Sequence, residues 1–170
     1  KFILKDGSVF ETENAKNAYD VAFALSAGLA KNAYAAKVNN VLVDLSAPVK
    51  DGDKIQIIMS RDDEGLAIYR HSCAHVLAQA VKQLYPSAQV AIGPVIDNGF
   101  YYDIDFEKAI TQSDLADIEK KMEEIIKADI AIVRSEVTRE EALSVMKERG
   151  EDYKIQLIEE LPGGSIISLY

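Results

Sequence analysis

The first 61 residues show short apolar runs separated by turn residues. Runs at 2–4 and 9–12 flank Asp6-Gly7, which predicts a β-hairpin. Residues 18–25 carry apolar side chains at helical spacing, and Gly28 is expected to end that helix. Three further strands are predicted, at 36–38, 41–43 and 55–59. One helix packed on one mixed sheet is the simplest architecture that buries these apolar positions.

The pattern changes after residue 61. A long helix is predicted from residue 62 to about residue 85, because Pro86 disfavours its continuation. Asn98-Gly99 predicts a tight turn between strands at 95–96 and 100–104.

Further helices and strands follow in the remaining sequence. Ser113 is the expected N-cap of a helix over 114–128, and Thr138 and Gly150 are expected to bound another helix. The remaining apolar runs predict strands at 130–137, 153–158 and 166–170. The fold class is therefore α+β, and the start at Lys1 together with the unfinished last strand suggests a part of a longer protein.

Charge divides the chain at the same point as the pattern. Residues 1–61 carry eight basic and seven acidic residues, whereas residues 62–170 carry 11 and 21. This asymmetry predicts two domains, 1–61 and 62–170. No apolar run reaches 18 residues, and the single cysteine excludes an internal disulfide framework. The whole-chain charge of −9 disfavours a protein that simply coats nucleic acid.

The only two histidines, His71 and His75, are four residues apart on the predicted long helix. At 100° per residue they project within about 40° of each other, on the side opposite an apolar stripe that includes Cys73 and Leu77. They are therefore either a functional pair in a cleft or two ordinary surface histidines. A pair at this spacing can ligate a metal if further ligands exist, or it can orient water and relay protons. Cys73, on the apolar side, is expected to be a buried structural residue.

Two other polar residues become candidate site residues only through a family resemblance. Tyr102 shares a strand face with Phe100 and Ile104, which by itself indicates a core position, and Lys154 at a strand start is ordinarily solvated. The segments RHSCAHVLAQAVKQLYP and AIGPVIDNGFYYD resemble the amino-terminal part of bacterial threonyl-tRNA synthetases. The first domain, ending in DGDKIQIIMS, resembles their TGS domain, a small ubiquitin-like β-grasp module.

The resemblance implies a function for the second domain. It resembles part of the editing domain, which hydrolyses serine wrongly attached to the threonine tRNA, and His71, His75, Tyr102 and Lys154 match pocket residues of that domain. The Cys-x-x-x-His motif that completes the pocket is absent, as are the aminoacylation domain with its ATP and zinc and the anticodon-binding domain. The resemblance thus implies no cofactor for this part, threonine tRNA as partner, a cytoplasmic enzyme with no membrane contact, and dimerisation through the absent domains.

Two other functions stay open at this point. One is a non-catalytic RNA-docking module, although the acidic second domain weighs against strong unaided RNA binding. The other is a small metal-dependent hydrolase that uses the histidine pair, for which this sequence offers few further ligands.

Overall fold

A computed structural model describes residues 1–170, which form two compact units, Lys1–Arg70 and His71–Tyr170. The division falls within a helix, and the predicted boundary between residues 61 and 62 stays a prediction. No helix combines the length and the apolar character that crossing a membrane requires.

The first unit is built on a five-stranded mixed sheet with the order β2-β1-β5-β3-β4. Strand β1 pairs with β2 antiparallel and with β5 parallel, and β3 pairs antiparallel with β4 and β5. The strands are β1 (Phe2–Leu4), β2 (Val9–Phe10), β3 (Ala33–Val38), β4 (Val41–Val43) and β5 (Lys54–Met59). Helices α1 (Ala18–Leu25) and α2 (Ala27–Lys31) lie between β2 and β3 in the chain.

Turn chemistry and one apolar cluster explain this unit. Gly7 takes a φ of +84° in the predicted first hairpin, and Asn39 and Asn40 take positive φ values of 51° and 68° between β3 and β4. Phe2, Val21 and Ile55 form the buried centre, so the helix α1 packs on the sheet through its apolar side. The α+β prediction for this unit is confirmed.

The second unit contains most of a 22-residue helix, α3 (Asp63–Leu84), and three further helices. These are α4 (Gln112–Lys127), α5 (Arg139–Arg149) and α6 (Asp152–Glu160). Its strands form three two-stranded ladders, β6 (Gln89–Val90) with β9 (Ile104–Asp105), β7 (Val95–Ile96) with β8 (Gly99–Phe100), and β10 (Ser135–Val137) with β11 (Ile167–Leu169).

Two separate apolar clusters hold this unit together. Ala80, Val81, Ala88 and Ile118 form one, which joins the second half of α3 to α4. The other joins α5, α6 and β11, with Ala142, Met146, Ile158 and Ile167 at its centre. Each cluster buries few large side chains, so hydrogen bonds and ion pairs carry a substantial part of the positioning.

Helix ends follow the predicted chemistry in one case and differ in two. Thr138 and Glu141 form a capping box at the start of α5, and Gly150 ends that helix in the left-handed conformation, as predicted. The N-cap of α4 is Thr111 and not Ser113, because Thr111 forms the capping box with Asp114. Gly28 does not end α1, since the extended Ser26 does so and Gly28 lies inside α2.

Three strand predictions in the second unit are wrong. Residues 153–158 belong to helix α6, where Ile155 and Ile158 pack on one side at helical spacing. Only the last three residues of 130–137 form a strand, since only these pair with β11. Residues 100–104 do not form one strand, because β8 ends at Phe100 and β9 pairs elsewhere, with β6.

The tight turn between β7 and β8 is also one position earlier than predicted. Ile96 pairs with Gly99, which leaves Asp97 and Asn98 as the two loop residues. Gly99 is therefore the first residue of a strand rather than part of the turn.

Two glycine substitutions provide a test of the packing in the first unit. A Cβ at Gly65, in the first turn of α3, would overlap the backbone carbonyl of Met59, whereas a Cβ at Gly28 would meet only Ser26 Oγ, at 3.6 Å. We expect Gly65→Ala to lower the free energy of unfolding by about 1–3 kcal/mol through overpacking. We expect Gly28→Ala to raise the free energy of unfolding by about 0.4–1 kcal/mol through reduced chain entropy. Urea unfolding followed by circular dichroism measures both, and a shift of the same sign in the two variants contradicts the packing described.

Candidate functional site

The two histidines are in direct contact on α3. The Nε2 atoms of His71 and His75 lie 3.1 Å apart, and the rings meet edge to face with centroids 4.6 Å apart. At this distance one Nε2 donates a proton to the other, so one imidazole holds an unprotonated nitrogen. The contact therefore favours a pair with at most one charge, since two imidazolium rings would have no acceptor between them.

The direction of the pair follows from the helix pattern. The buried residues of α3 in this unit are Ala74, Ala80 and Val81, and at 100° per residue they project 60° or more from either histidine. Cys73 is only partly buried, so the prediction of a buried structural cysteine is not met, and it too projects away from the pair. The histidines lie outside the apolar core, as the spacing predicts.

His75 is the more enclosed member, and its surroundings disfavour the imidazolium form. Burial lowers its pKa below the ordinary histidine value, and the nearby His71 and Lys154 lower it further. His75 is therefore mainly neutral at neutral pH. A neutral imidazole can accept a proton, which a charged one cannot.

Lys154 reaches the site from the first turn of α6. Its Nζ donates a hydrogen bond to Ala91 O at 2.6 Å and lies 3.5 Å from the hydroxyl of Tyr102. The same ammonium stands 5.8 Å from the centre of the Tyr102 ring. Burial lowers the pKa of Lys154, and the carboxylate of Glu151 partly offsets that effect. The ammonium is therefore partly buried and held by fixed acceptors rather than simply solvated.

Tyr102 lies in the segment between β8 and β9. Tyr101 and Asp103 on either side are exposed while Tyr102 is half-buried, which matches the predicted alternation even though the segment is not a continuous strand. Its ring packs against Gly93, where any Cβ would overlap it. Burial, followed by the charge of Glu151, raises the pKa of Tyr102, so the phenol keeps its proton.

The structure thus brings together all four residues singled out from the sequence. Lys154 contacts Tyr102 directly, and it is close enough to His75 to lower the pKa of that residue. Lys154 arrives from a helix and not from the predicted strand start, because residues 152–160 are helical. The chemical roles of the four residues stay predictions.

An apolar cavity adjoins the histidines, and sequence reasoning missed it. It measures about 370 Å³, and Tyr170 stands on its border with its ring centroid 5.0 Å from that of His75. Three of its side chains, Ile130, Ile132 and Val133, are 54–70% exposed, so they line an open wall rather than fill a core. The apolar run at 130–133 is visible in the sequence, but its pattern predicts part of a strand and not the wall of a cavity.

Few side chains near the two histidines could ligate a metal ion. No group of three or more His, Cys, Asp or Glu side chains is arranged to hold a metal ion in residues 1–170. The two histidines have each other, Tyr170 and Lys154 as neighbours, and none of these adds a third imidazole, a carboxylate or a thiolate to the two imidazoles.

Comparison with known proteins decides the relationship of the chain. Residues 1–59 match the TGS domain. Threonine--tRNA ligase of Clostridioides difficile is 49% identical over 170 residues, which is all of this chain and 27% of that protein. Over its whole length, this chain is similar to the amino-terminal region of bacterial threonine--tRNA ligases.

Other relatives agree with this result. The threonine--tRNA ligase of Marinobacter nauticus is 47% identical over 167 residues, and that of Legionella pneumophila is 48% identical over 167 residues. The match covers 98% of this chain and 26% of each relative. The chain therefore spans about a quarter of the length of the threonine--tRNA ligases it resembles, and the resemblance found in its motifs is confirmed.

The electrostatic coupling within this candidate site is testable by substitution. We expect Lys154→Met to raise the pKa of His75, because it removes a neighbouring positive charge that disfavours the imidazolium. A ¹H–¹³C NMR titration of the histidine rings measures this pKa in the 170-residue chain. Lys147→Met, at an exposed position in the last turn of α5, is the matched control and should leave the titration of His75 unchanged. An unchanged His75 in the Lys154→Met variant contradicts the proximity described.

Proposed function

We propose that this chain is the amino-terminal part of a threonine--tRNA ligase, which joins threonine to its tRNA with ATP. Residues 1–59 supply the TGS domain, and the second unit supplies part of an editing site that hydrolyses seryl-tRNA. The observation that carries the proposal is the 3.1 Å contact between His71 and His75, which lies beside Lys154 and Tyr102 in a homologue of these ligases.

The arrangement supplies the groups that hydrolysis of an aminoacyl ester needs. Water attacks the ester carbonyl carbon, a new C–O bond forms, and the bond to the ribose oxygen breaks. In the neutral pair, the free Nδ1 of the imidazole whose Nε2 donates to its partner accepts the proton of the attacking water and returns it to the departing ribose oxygen. The half-buried His75 suits this role because its lowered pKa keeps it neutral.

The developing negative charge requires donors on the opposite side of the carbonyl. The Lys154 ammonium and the Tyr102 phenol are 3.5 Å apart, and both are protonated donors in a partly buried setting. Donors held in place before the reaction stabilise an oxyanion without reorganisation. Lys154 and Tyr102 are therefore proposed as the oxyanion partners, and the histidines as the proton relay.

A separate hydrolytic site has a physical reason. Serine and threonine differ by one methyl group, and a binding pocket discriminates such a pair by only about 1–3 kcal/mol, a general limit of aminoacyl-tRNA synthetases. Destroying the product formed with the smaller amino acid raises the fidelity beyond that limit.

The proposal also specifies partners and the remaining chemistry. The partner is threonine tRNA, with its seryl form as the editing substrate, and the enzyme acts in the cytoplasm as a homodimer. ATP and zinc are used by the aminoacylation domain, which lies outside residues 1–170. The groups that complete the editing site lie outside these residues as well, so the activity is expected in the complete ligase rather than in this chain alone.

The test removes each histidine in the complete ligase of which this chain is, on this proposal, the amino-terminal part. We expect His71→Ala and His75→Ala to slow deacylation of seryl-tRNA by about 10²- to 10⁴-fold, the usual contribution of a general acid–base. Charging of the tRNA with threonine should be unchanged. Gln83→Ala, at an exposed position of α3, is the matched control. Normal deacylation in both histidine variants would refute the catalytic role and leave RNA docking as the alternative.

A further inference from the structure

Glu151 is the one charged residue in the buried class, with 6% of its surface exposed. It immediately precedes α6 in the chain, three residues before Lys154. Its Oε1 lies 2.7 Å from Lys82 Nζ, while its Oε2 is buried and accepts no hydrogen bond. A buried carboxylate oxygen without a donor is costly and requires an explanation.

Stability does not supply that explanation. Lys82 Nζ also donates to Pro86 O and Ala88 O, each at 2.9 Å, so its three protons have three acceptors. A buried ion pair of this kind is often replaced by apolar side chains without loss of stability. A carboxylate at position 151 is therefore more than packing demands, and the groups near it are the candidates for a role of its charge.

The contacts around Glu151 show what it can act on. Lys82 is in the last turn of α3, so its ion pair with Glu151 joins the end of the histidine helix to the start of the lysine helix. Gln89 reinforces this junction, because its side chain accepts from Asp152 N at 3.2 Å and donates to Gly150 O at 2.9 Å. In the first turn of α6, Lys154 donates to Ala91 O, two residues beyond Gln89.

We propose that Glu151 is a positioning residue of the editing site. Its buried ion pair with Lys82 fixes the start of α6 against the end of α3, and this places Lys154, three residues later, at Ala91 O and beside Tyr102. This inference rests on the proposed function, because it names how one member of that site is held and charged.

The electrostatics agree with this geometry. The titratable groups that act on or contact Lys154 are His75, Tyr102 and Glu151, and Glu151 is the only acid that acts on its titration. Burial lowers the pKa of Lys154, and Glu151 raises it. Glu151 also raises the pKa of Tyr102, so one carboxylate favours the protonated form of both donors.

The first experiment needs only the 170-residue chain. Glu151→Gln keeps the shape of the side chain and removes its charge, and ¹H–¹³C NMR of labelled lysine side chains follows the titration of Lys154. We expect the pKa of Lys154 to fall in this variant, because its counter-charge is gone. Glu159→Gln, at an exposed position of the same helix, should leave the titration unchanged. An unchanged Lys154 in folded Glu151→Gln protein overturns the proposal.

A second variant covers the case in which Glu151→Gln unfolds the unit by leaving Lys82 buried without its partner. The double variant Lys82→Met/Glu151→Met removes both charges and keeps apolar volume at the junction. We expect it to fold, as judged by circular dichroism, and to show a pKa of Lys154 below that in the unsubstituted chain. A folded double variant in which the pKa of Lys154 equals that in the unsubstituted chain overturns the proposal.

The complete ligase then separates this inference from the proposed function. We expect Glu151→Gln, or the double variant, to lower kcat for seryl-tRNA deacylation by about 10- to 100-fold with little change in KM, the usual effect of a misplaced group. The alkaline limb of the pH profile should move to lower pH. If His71→Ala abolishes deacylation but Glu151→Gln does not affect it, the positioning role alone is wrong. If neither variant matters, the proposed function itself is wrong.

Discussion

The hydrogen bond from Lys154 Nζ to Ala91 O is the contact on which the candidate site depends. An ammonium that is removed from water needs fixed hydrogen-bond acceptors. The accepting carbonyl of Ala91 lies in a short segment that follows β6. The bond places the lysine against Tyr102 and near His75, three residues that come from three separate parts of the sequence. Without it, Lys154 would be an ordinary surface lysine, and the histidine pair would lack a positive neighbour.

Charge in the site is distributed rather than concentrated. The histidines contact each other at 3.1 Å, burial and the nearby His71 and Lys154 lower the pKa of His75, and a buried ion pair joins Lys82 to Glu151. The second unit is strongly acidic as a whole, yet its site residues are neutral or cationic. This local polarity suits a carbonyl that becomes an oxyanion, and it makes the overall charge a poor guide to the substrate.

Sequence reasoning reached the first unit and the four site residues by different routes. Hairpin turns and helical spacing predicted the sheet and α1 directly, because Gly7, Asn39 and Asn40 determine backbone geometry locally. Spacing alone predicts the histidine pair, whereas only the family resemblance indicates Tyr102 and Lys154.

The wrong predictions occur where tertiary contacts determine the local structure. Residues 153–158 fit both periods, and their helix is selected by packing of Ile155 and Ile158. Glu151 had no local signal, since its burial depends on Lys82, 69 positions earlier.

On the proposed function, His71, His75, Tyr102 and Lys154 form one site for the aminoacyl end of a tRNA. The most direct measurement is an NMR titration of the 170-residue chain with 3′-serylamido-adenosine, a mimic whose amide resists hydrolysis. We expect saturable shifts at the two histidine rings, at Tyr102 and at the Lys154 side chain, and none within residues 1–59. Shifts confined to residues 1–59, or no shift at any of the four residues, would contradict the account.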